Sequence, residues 1–205
     1  LEDHPDDALA PDARVALAWN QVRRDDVAAA AATLASARER DPWLADDPRC
    51  QLLAAVVAYL QGDTAAARIA LGTAVEGPAR VYLQALCETA DGEVLAAAAS
   101  FQNVAARFPD SGLRDHALLA KANLFLDSGA PTSAAEEFAR LVDVARLDGV
   151  RAEAALRHAA CLLLADDATG AVERLRTIVA DRPGTDVAAR AQFLLGETIL
   201  GARGH

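Results

Sequence analysis

Apolar positions recur along the second half of the chain at a fixed interval of 37 residues. Phe101, Phe138 and Leu175 stand 37 apart, and each has an alanine four residues earlier (Ala97, Ala134, Ala171). Each also has a branched apolar residue three positions later: Val104, Leu141 and Ile178. The flanking segments keep the same interval, as in the trios Ala117, Leu119, Ala122; Ala154, Leu156, Ala159; and Ala191, Phe193, Gly196. Within a unit the spacing is helical, since Ala97, Phe101, Val104 and Phe108 fall at i, i+4, i+7 and i+11 on one stripe. A period of this length marks stacked helical hairpins, none of which buries its apolar face without a neighbour.

Glycine, aspartate and proline divide the chain into helix pairs. The pattern predicts helices over Pro11–Arg23 and Asp26–Arg40, Pro48–Gln61 and Thr64–Glu76, and Ala79–Ala90 and Glu93–Phe108. Gly112–Asp127 and Pro131–Arg146 follow, then Gly149–Ala165 and Thr169–Asp181, and a last helix at Asp186–Leu200. Gly or Asp tolerates the tight turn inside each hairpin, and proline stops the second helix because its ring clashes with the preceding turn. Ser111, Asp148 and Thr185 are 37 apart and are expected to cap the helices that follow them. Before Pro78 the interval shortens to 35 and then 32 between Leu34, Ile69 and Phe101.

Alanine-rich composition, with only 4% aromatics and no methionine, suits closely packed helices and not strands. The net charge of −10 argues against binding a nucleic-acid backbone, which needs clustered cations, and against docking on anionic lipid. Lys121 is the only lysine, so arginine carries nearly all the positive charge. No stretch reaches the ~20 apolar residues of a membrane span. With Leu1 at the start and no methionine, the N-terminus is expected to be processed or truncated, and a removed signal or anchor would leave no trace. Residues 1–10 read as an acidic linker, 11–78 as divergent helical repeats and 79–205 as regular repeats with a capping helix. Of the three cysteines, Cys87 and Cys161 share one repeat slot with Leu124 between them, so all three are expected to be free packing thiols.

The chain resembles tetratricopeptide-repeat proteins, whose pattern has small residues at the eighth and twentieth positions, a large apolar one at the twenty-fourth and proline at the thirty-second. Ala122, Ala134 and Phe138 match it, as do Ala97, Phe101 and Pro109, then Ala159, Ala171, Leu175 and Pro183, and more weakly Ala30, Leu34 and Pro42. The three extra residues per unit and the run Arg107-Phe108-Pro109-Asp110-Ser111 look like the long-loop variant of bacterial envelope proteins. That group includes the outer-membrane assembly lipoprotein BamD and the cell-division coordinator CpoB, with YfgM-type domains more distantly similar. Arg146 departs from the pattern where the fourth unit would carry proline.

The resemblance implies an all-α fold: a right-handed α-α superhelix of about five hairpins plus a C-terminal capping helix. It implies a concave face lined by the first helix of each pair. Partner-binding positions there would be Tyr82 and Leu86, then His116, Leu119, Asn123 and Leu126, then Glu153 and Leu156. The expected function is a non-catalytic scaffold that binds another protein or a peptide segment, in a periplasmic or membrane-anchored envelope setting ahead of a cytoplasmic one. A structural subunit fixed in a larger complex is the alternative.

Catalytic and metal chemistry find little footing. His158 and Cys161 lie three apart on one helix, but no second ligand pair stands at metal spacing. Position 158 is occupied by Gln84 and Lys121 in sister repeats, as expected of a polar-tolerant slot. Asp46-Asp47 and Asp166-Asp167 fall in predicted turns, where aspartate serves as a turn or cap residue. No nucleophile with a base, no phosphate loop and no cofactor motif is present. Trp19, Trp43 and Phe193 read as packing residues, with Trp43 in a loop.

Overall fold

A computed structural model describes residues 10–201. Among these residues the chain forms eleven α-helices and no strand. They are α1 (Ala10–Arg23) and α2 (Val27–Arg40), α3 (Pro48–Leu60) and α4 (Thr64–Thr73), and α5 (Pro78–Ala90) and α6 (Val94–Arg107). Next come α7 (Arg114–Asp127) and α8 (Pro131–Val144), α9 (Asp148–Leu164) and α10 (Ala168–Asp181), and an unpaired α11 (Asp186–Gly201). A short 3-10 helix, Pro42–Ala45, sits between α2 and α3. The result is the all-α series of five helix pairs and a closing helix that the spacing predicts. The acidic segment 1–10 lies, apart from Ala10, outside the described residues.

Each intra-pair turn is made the same way. Asp25, Gly62, Gly92, Gly129 and Asp166 all adopt left-handed backbone, with φ of 62, 83, 77, 78 and 64°. The next residue opens the second helix. Asp26, Asp63 and Asp167 accept hydrogen bonds from the N–H groups of Ala29, Ala66 and Gly170 at 3.1, 2.8 and 2.9 Å, satisfying donors that the helix start leaves unpaired. Asp47 caps α3 through Arg49 N–H at 2.8 Å.

Of the three caps expected in the 37-residue series, Thr185 behaves as one, its hydroxyl accepting from Ala188 N–H at 3.2 Å. Ser111 accepts from Leu113 N–H at 3.1 Å and shapes a turn one step before α7. Asp148 does not cap; it is already the first residue of α9 and forms a two-point ion pair with Arg182 at 2.6 and 2.7 Å. Two helices end two or three residues earlier than their periodicity predicts. α4 stops at Thr73 because the chain turns extended at Ala74 and Val75 N–H donates to the Pro48 carbonyl at 2.9 Å. α8 stops at Val144 because Arg146 and Leu147 N–H are taken by the Asp115 carboxylate.

The buried slots correct the repeat register. Ile69 is 79% exposed, so it is not the counterpart of Phe101; Leu71 is buried in its place. Counted on buried residues, the small slot reads Ala30, Ala67, Ala97, Ala134, Ala171 and the large slot Leu34, Leu71, Phe101, Phe138, Leu175. Both follow intervals of 37, 30, 37 and 37, so the period already holds in the first two pairs and is broken once. Cys87, Leu124 and Cys161 are all buried, and Cys50, Cys87 and Cys161 are free thiols, as a packing slot requires.

The contacts divide the chain into two compact units, 1–97 and 98–205. In the first, Ala18, Ala30, Leu34 and Leu53 centre one cluster and Ala55, Ala67, Leu71 and Cys87 another. In the second, Ala134, Phe138, Leu141 and Cys161 join α7, α8 and α9, while Leu156, Ala159, Leu175 and Ala191 join α9, α10 and α11. Alanine at the crossings lets helices approach closely, and the larger residue fills the gap beside it.

Candidate functional site

In the 98–205 unit the first helices α7, α9 and α11 together line a groove of about 540 Å³. Helical spacing sets its lining. On α7, His116, Leu119, Asn123 and Leu126 share one face, and of these Leu126 reaches the groove. From α9 come Glu153, Leu156, Arg157 and Ala160, and from α11 Ala189, Arg190, Phe193 and Leu194. The groove therefore brings together three of the residues singled out from sequence: Leu126, Glu153 and Leu156.

The remaining sequence-predicted positions sit elsewhere. His116 is exposed in the first turn of α7. Leu119 is half-buried against the core formed with Phe138 and Ala154. Asn123 is partly buried, with its Oδ1 shielded and unpartnered. Tyr82 and Leu86 lie on α5, in the 1–97 unit, where Leu86 packs on the cluster containing Leu83 and Cys87. Burial, and secondarily the neighbouring Tyr59, pushes the Tyr82 phenol above its usual range.

Leu156 is only 3% exposed and forms the groove floor as part of the core, whereas Phe193 is 67% exposed at the lip. Glu153 sits between two arginines, accepting from Arg157 Nε at 2.8 Å and from Arg190 at 2.9 Å. Burial opposes its ionisation, but the hydrogen bonds from Arg190 and Arg157 outweigh that and hold its carboxyl below the usual range. One carboxylate shared by two guanidiniums leaves a net positive charge on this rim, within a chain whose net charge is −10. An apolar floor with a few fixed charges is the chemistry of a recognition groove.

Arg157, Arg190 and Phe193 are among the groove residues that the sequence did not mark as binding a partner. The signal was present: 37 residues beyond Glu153 and Leu156 stand Arg190 and Phe193. Phe193, expected to pack, is exposed because α11 has no following helix among the described residues to cover it.

No group of three or more His, Cys, Asp or Glu among the described residues is arranged to hold a metal ion. His158 is partly buried with a shielded Nδ1; burial, reinforced by Arg174, lowers its pKa and favours the neutral ring. Burial raises the Cys161 thiol, opposing the thiolate that a ligand or nucleophile would need. Asp46-Asp47 and Asp166-Asp167 serve as turn and cap residues, as expected. No described helix is long and apolar enough to cross a membrane.

The sequence model of the tetratricopeptide repeat matches residues 81–111, which span α5, α6 and the connection to α7. No curated protein matches the chain by sequence. Among solved structures, PilF of Pseudomonas aeruginosa superposes with a TM-score of 0.63 at 18% identity, covering 94% of this chain and 88% of that one. A tetratricopeptide-repeat protein from Parabacteroides merdae gives 0.61 at 17% identity, covering 91% and 73%. YrrB, described as a tetratricopeptide-repeat protein with an unusual peptide-binding site, gives 0.58 at 16% identity, covering 87% and 90%. The match at 81–111, the recurring buried slots and the shared fold give one conclusion: residues 81–111 form a tetratricopeptide repeat, and the chain around them has the fold of tetratricopeptide-repeat proteins.

Proposed function

We infer that the protein is a non-catalytic scaffold that captures a segment of another protein. The groove of α7, α9 and α11 receives it. The observation that carries this reading is the pairing of an apolar floor (Leu126, Leu156, Leu194) and an exposed Phe193 with the Arg157–Glu153–Arg190 rim. A segment with apolar side chains and an adjacent carboxylate fits both features. Because the groove stands on packed helices, it is formed before the partner arrives, which lowers the ordering cost of binding. The peptide-binding site named for YrrB supports the same class of role. In the 1–97 unit, Tyr82 and Leu86 offer a further face on α5, and His116, Leu119 and Asn123 extend the α7 face.

The finer reading places the scaffold in assembly of a bacterial envelope, periplasmic or anchored. It rests on the long-loop run at Arg107–Ser111 and on the three residues that each long repeat adds. A subunit held permanently in a larger complex is the second reading, favoured by the apolar exposure at Phe193 and Leu200.

Site-specific photocrosslinking tests the groove. A photoreactive residue replacing Ala160 on the groove wall should trap a discrete partner in cells of the source organism. The same residue replacing Thr177, exposed on α10, should not. Arg157→Glu should lower the yield at position 160 while helical circular dichroism is retained. Equal trapping from both positions, or none from position 160, would remove the groove assignment.

A further inference from the structure

α11 is the last helix among the described residues, and its outer face mixes exposed apolar side chains with charged ones. Its side chains at 188, 191, 194 and 195 turn inward, and the opposite stripe carries Ala189, Arg190, Phe193, Gly196, Glu197 and Leu200. Phe193 and Leu200 are each 67% exposed. Repeat register explains why. Phe193 occupies the slot of Leu119 and Leu156, and Leu156 is buried because α11 lies over it. A further helix in the same relation to α11 would cover Phe193 and Leu200 likewise.

We propose that this covering helix is α11 of a second copy of the chain, paired antiparallel about a two-fold axis. The stripe is self-complementary in charge. Arg190 and Glu197 are seven residues apart, two helical turns, with Phe193 between them. Antiparallel pairing centred beside Phe193 sets Arg190 against Glu197 of the second copy and Glu197 against its Arg190, as an isologous contact requires. Glu197 has no partner among the described residues. Arg190 bonds Glu153 at 2.9 Å, and a guanidinium with five N–H donors serves two carboxylates. Ala189 and Gly196 flank Phe193, and a Cβ added at Gly196 would meet nothing within 4 Å. Their small size lets the two axes come within about 8 Å, with the Phe193 rings filling the space on either side of the axis. A single helix face is a small interface, so the association is weak and governed by concentration. The proposal does not rest on peptide capture by the groove, although both use Phe193.

Sedimentation velocity at low salt, from about 1 to about 500 µM, the range of a small interface, tests the pairing. The wild-type chain should pass from monomer to dimer across that range. Glu197→Arg and Arg190→Glu, each alone, set like charges together at both contacts and should weaken association by about tenfold or more. An equimolar mixture of the two variants restores opposite charges at both contacts, and should dimerise at least as well as wild type. Circular dichroism of each variant checks that the helical content is retained. Arg157→Glu, in the groove but off the stripe, should leave the dimer unchanged, which separates this result from failure of the groove reading. A wild-type monomer at every concentration overturns the proposal. A dimer indifferent to both charge changes, or a mixture that fails to recover, overturns the antiparallel pairing.

Discussion

Asp115 shows how one side chain can hold a connection in place. It is 2% exposed in the first turn of α7, yet it stays ionised. Burial works against the charge, but Leu147 and Arg146 N–H donate to one oxygen at 2.7 and 2.6 Å, and Arg114 donates to the other at 2.6 Å. The net result is a carboxyl held below its usual range. Arg114 also donates to the Val144 carbonyl at 3.1 Å, so the pair secures both the end of α8 and the loop into α9. Asp115→Ala strands two backbone donors and should cost about 2–4 kcal/mol in chemical denaturation. The pH dependence has a fixed sign. A carboxyl depressed in the folded state contributes its full stability above the unfolded value of about 3.9 and loses it as pH falls through the folded value. The gap between wild type and Asp115→Ala should thus be constant from about pH 5 to 8 and close below about pH 4. A gap that widens in acid would refute the assignment. Nothing in the sequence marks this residue, because it belongs to no repeat: the positions 37 away are Pro78 and Ala152.

At the level of the element, the turns and the one broken interval decide what could be read beforehand. Helix pairs, turn positions and the Ala and Phe slots of the later repeats were legible, since each is fixed by local spacing and by Gly, Asp or Pro. The first repeats were misaligned because α4 carries two branched residues, Ile69 and Leu71, either of which fits a helical stripe. The missing information was a length change. α4 has 10 residues where α2 has 14, and the connection after it is three residues shorter than the one after α2. Losing four helical residues removes about one turn and leaves the buried face where it was, so the register resumes in α5. The groove was half legible for a related reason: the series was followed to Glu153 and Leu156 but not one period further, to Arg190 and Phe193. The turns themselves carry a test. Asp25 and Asp166 occupy left-handed backbone that glycine fills in the other three pairs, and a Cβ there is strained. Asp166→Gly should stabilise the protein by about 0.5–1 kcal/mol after the added freedom of the unfolded chain is counted, seen as a higher denaturation midpoint at unchanged slope. A loss of stability would mean that the Asp166 side chain contributes more than its backbone strain costs.

For the whole molecule, the stacking of similar pairs governs how a local defect spreads. Within each unit, neighbouring pairs share core, as the clusters around Leu34, Leu71, Phe138 and Leu175 show. Stability in such an array is close to a sum of repeat and nearest-neighbour contributions, so unfolding need not be all-or-none. Phe138 is fully buried in the 98–205 unit, touching residues of α7, α8 and α9. Phe138→Leu leaves a small void and should cost about 1–2 kcal/mol. Native-state hydrogen exchange then reads where that cost falls, since each 1.4 kcal/mol is tenfold in an opening equilibrium. Amides of α7, α8 and α9 should exchange about five- to thirtyfold faster, while those of α1 to α4 keep their wild-type rates. An equal acceleration along all eleven helices would show a single cooperative structure instead, and a defect at Phe138 would then be felt as strongly at Leu34 as at Leu141.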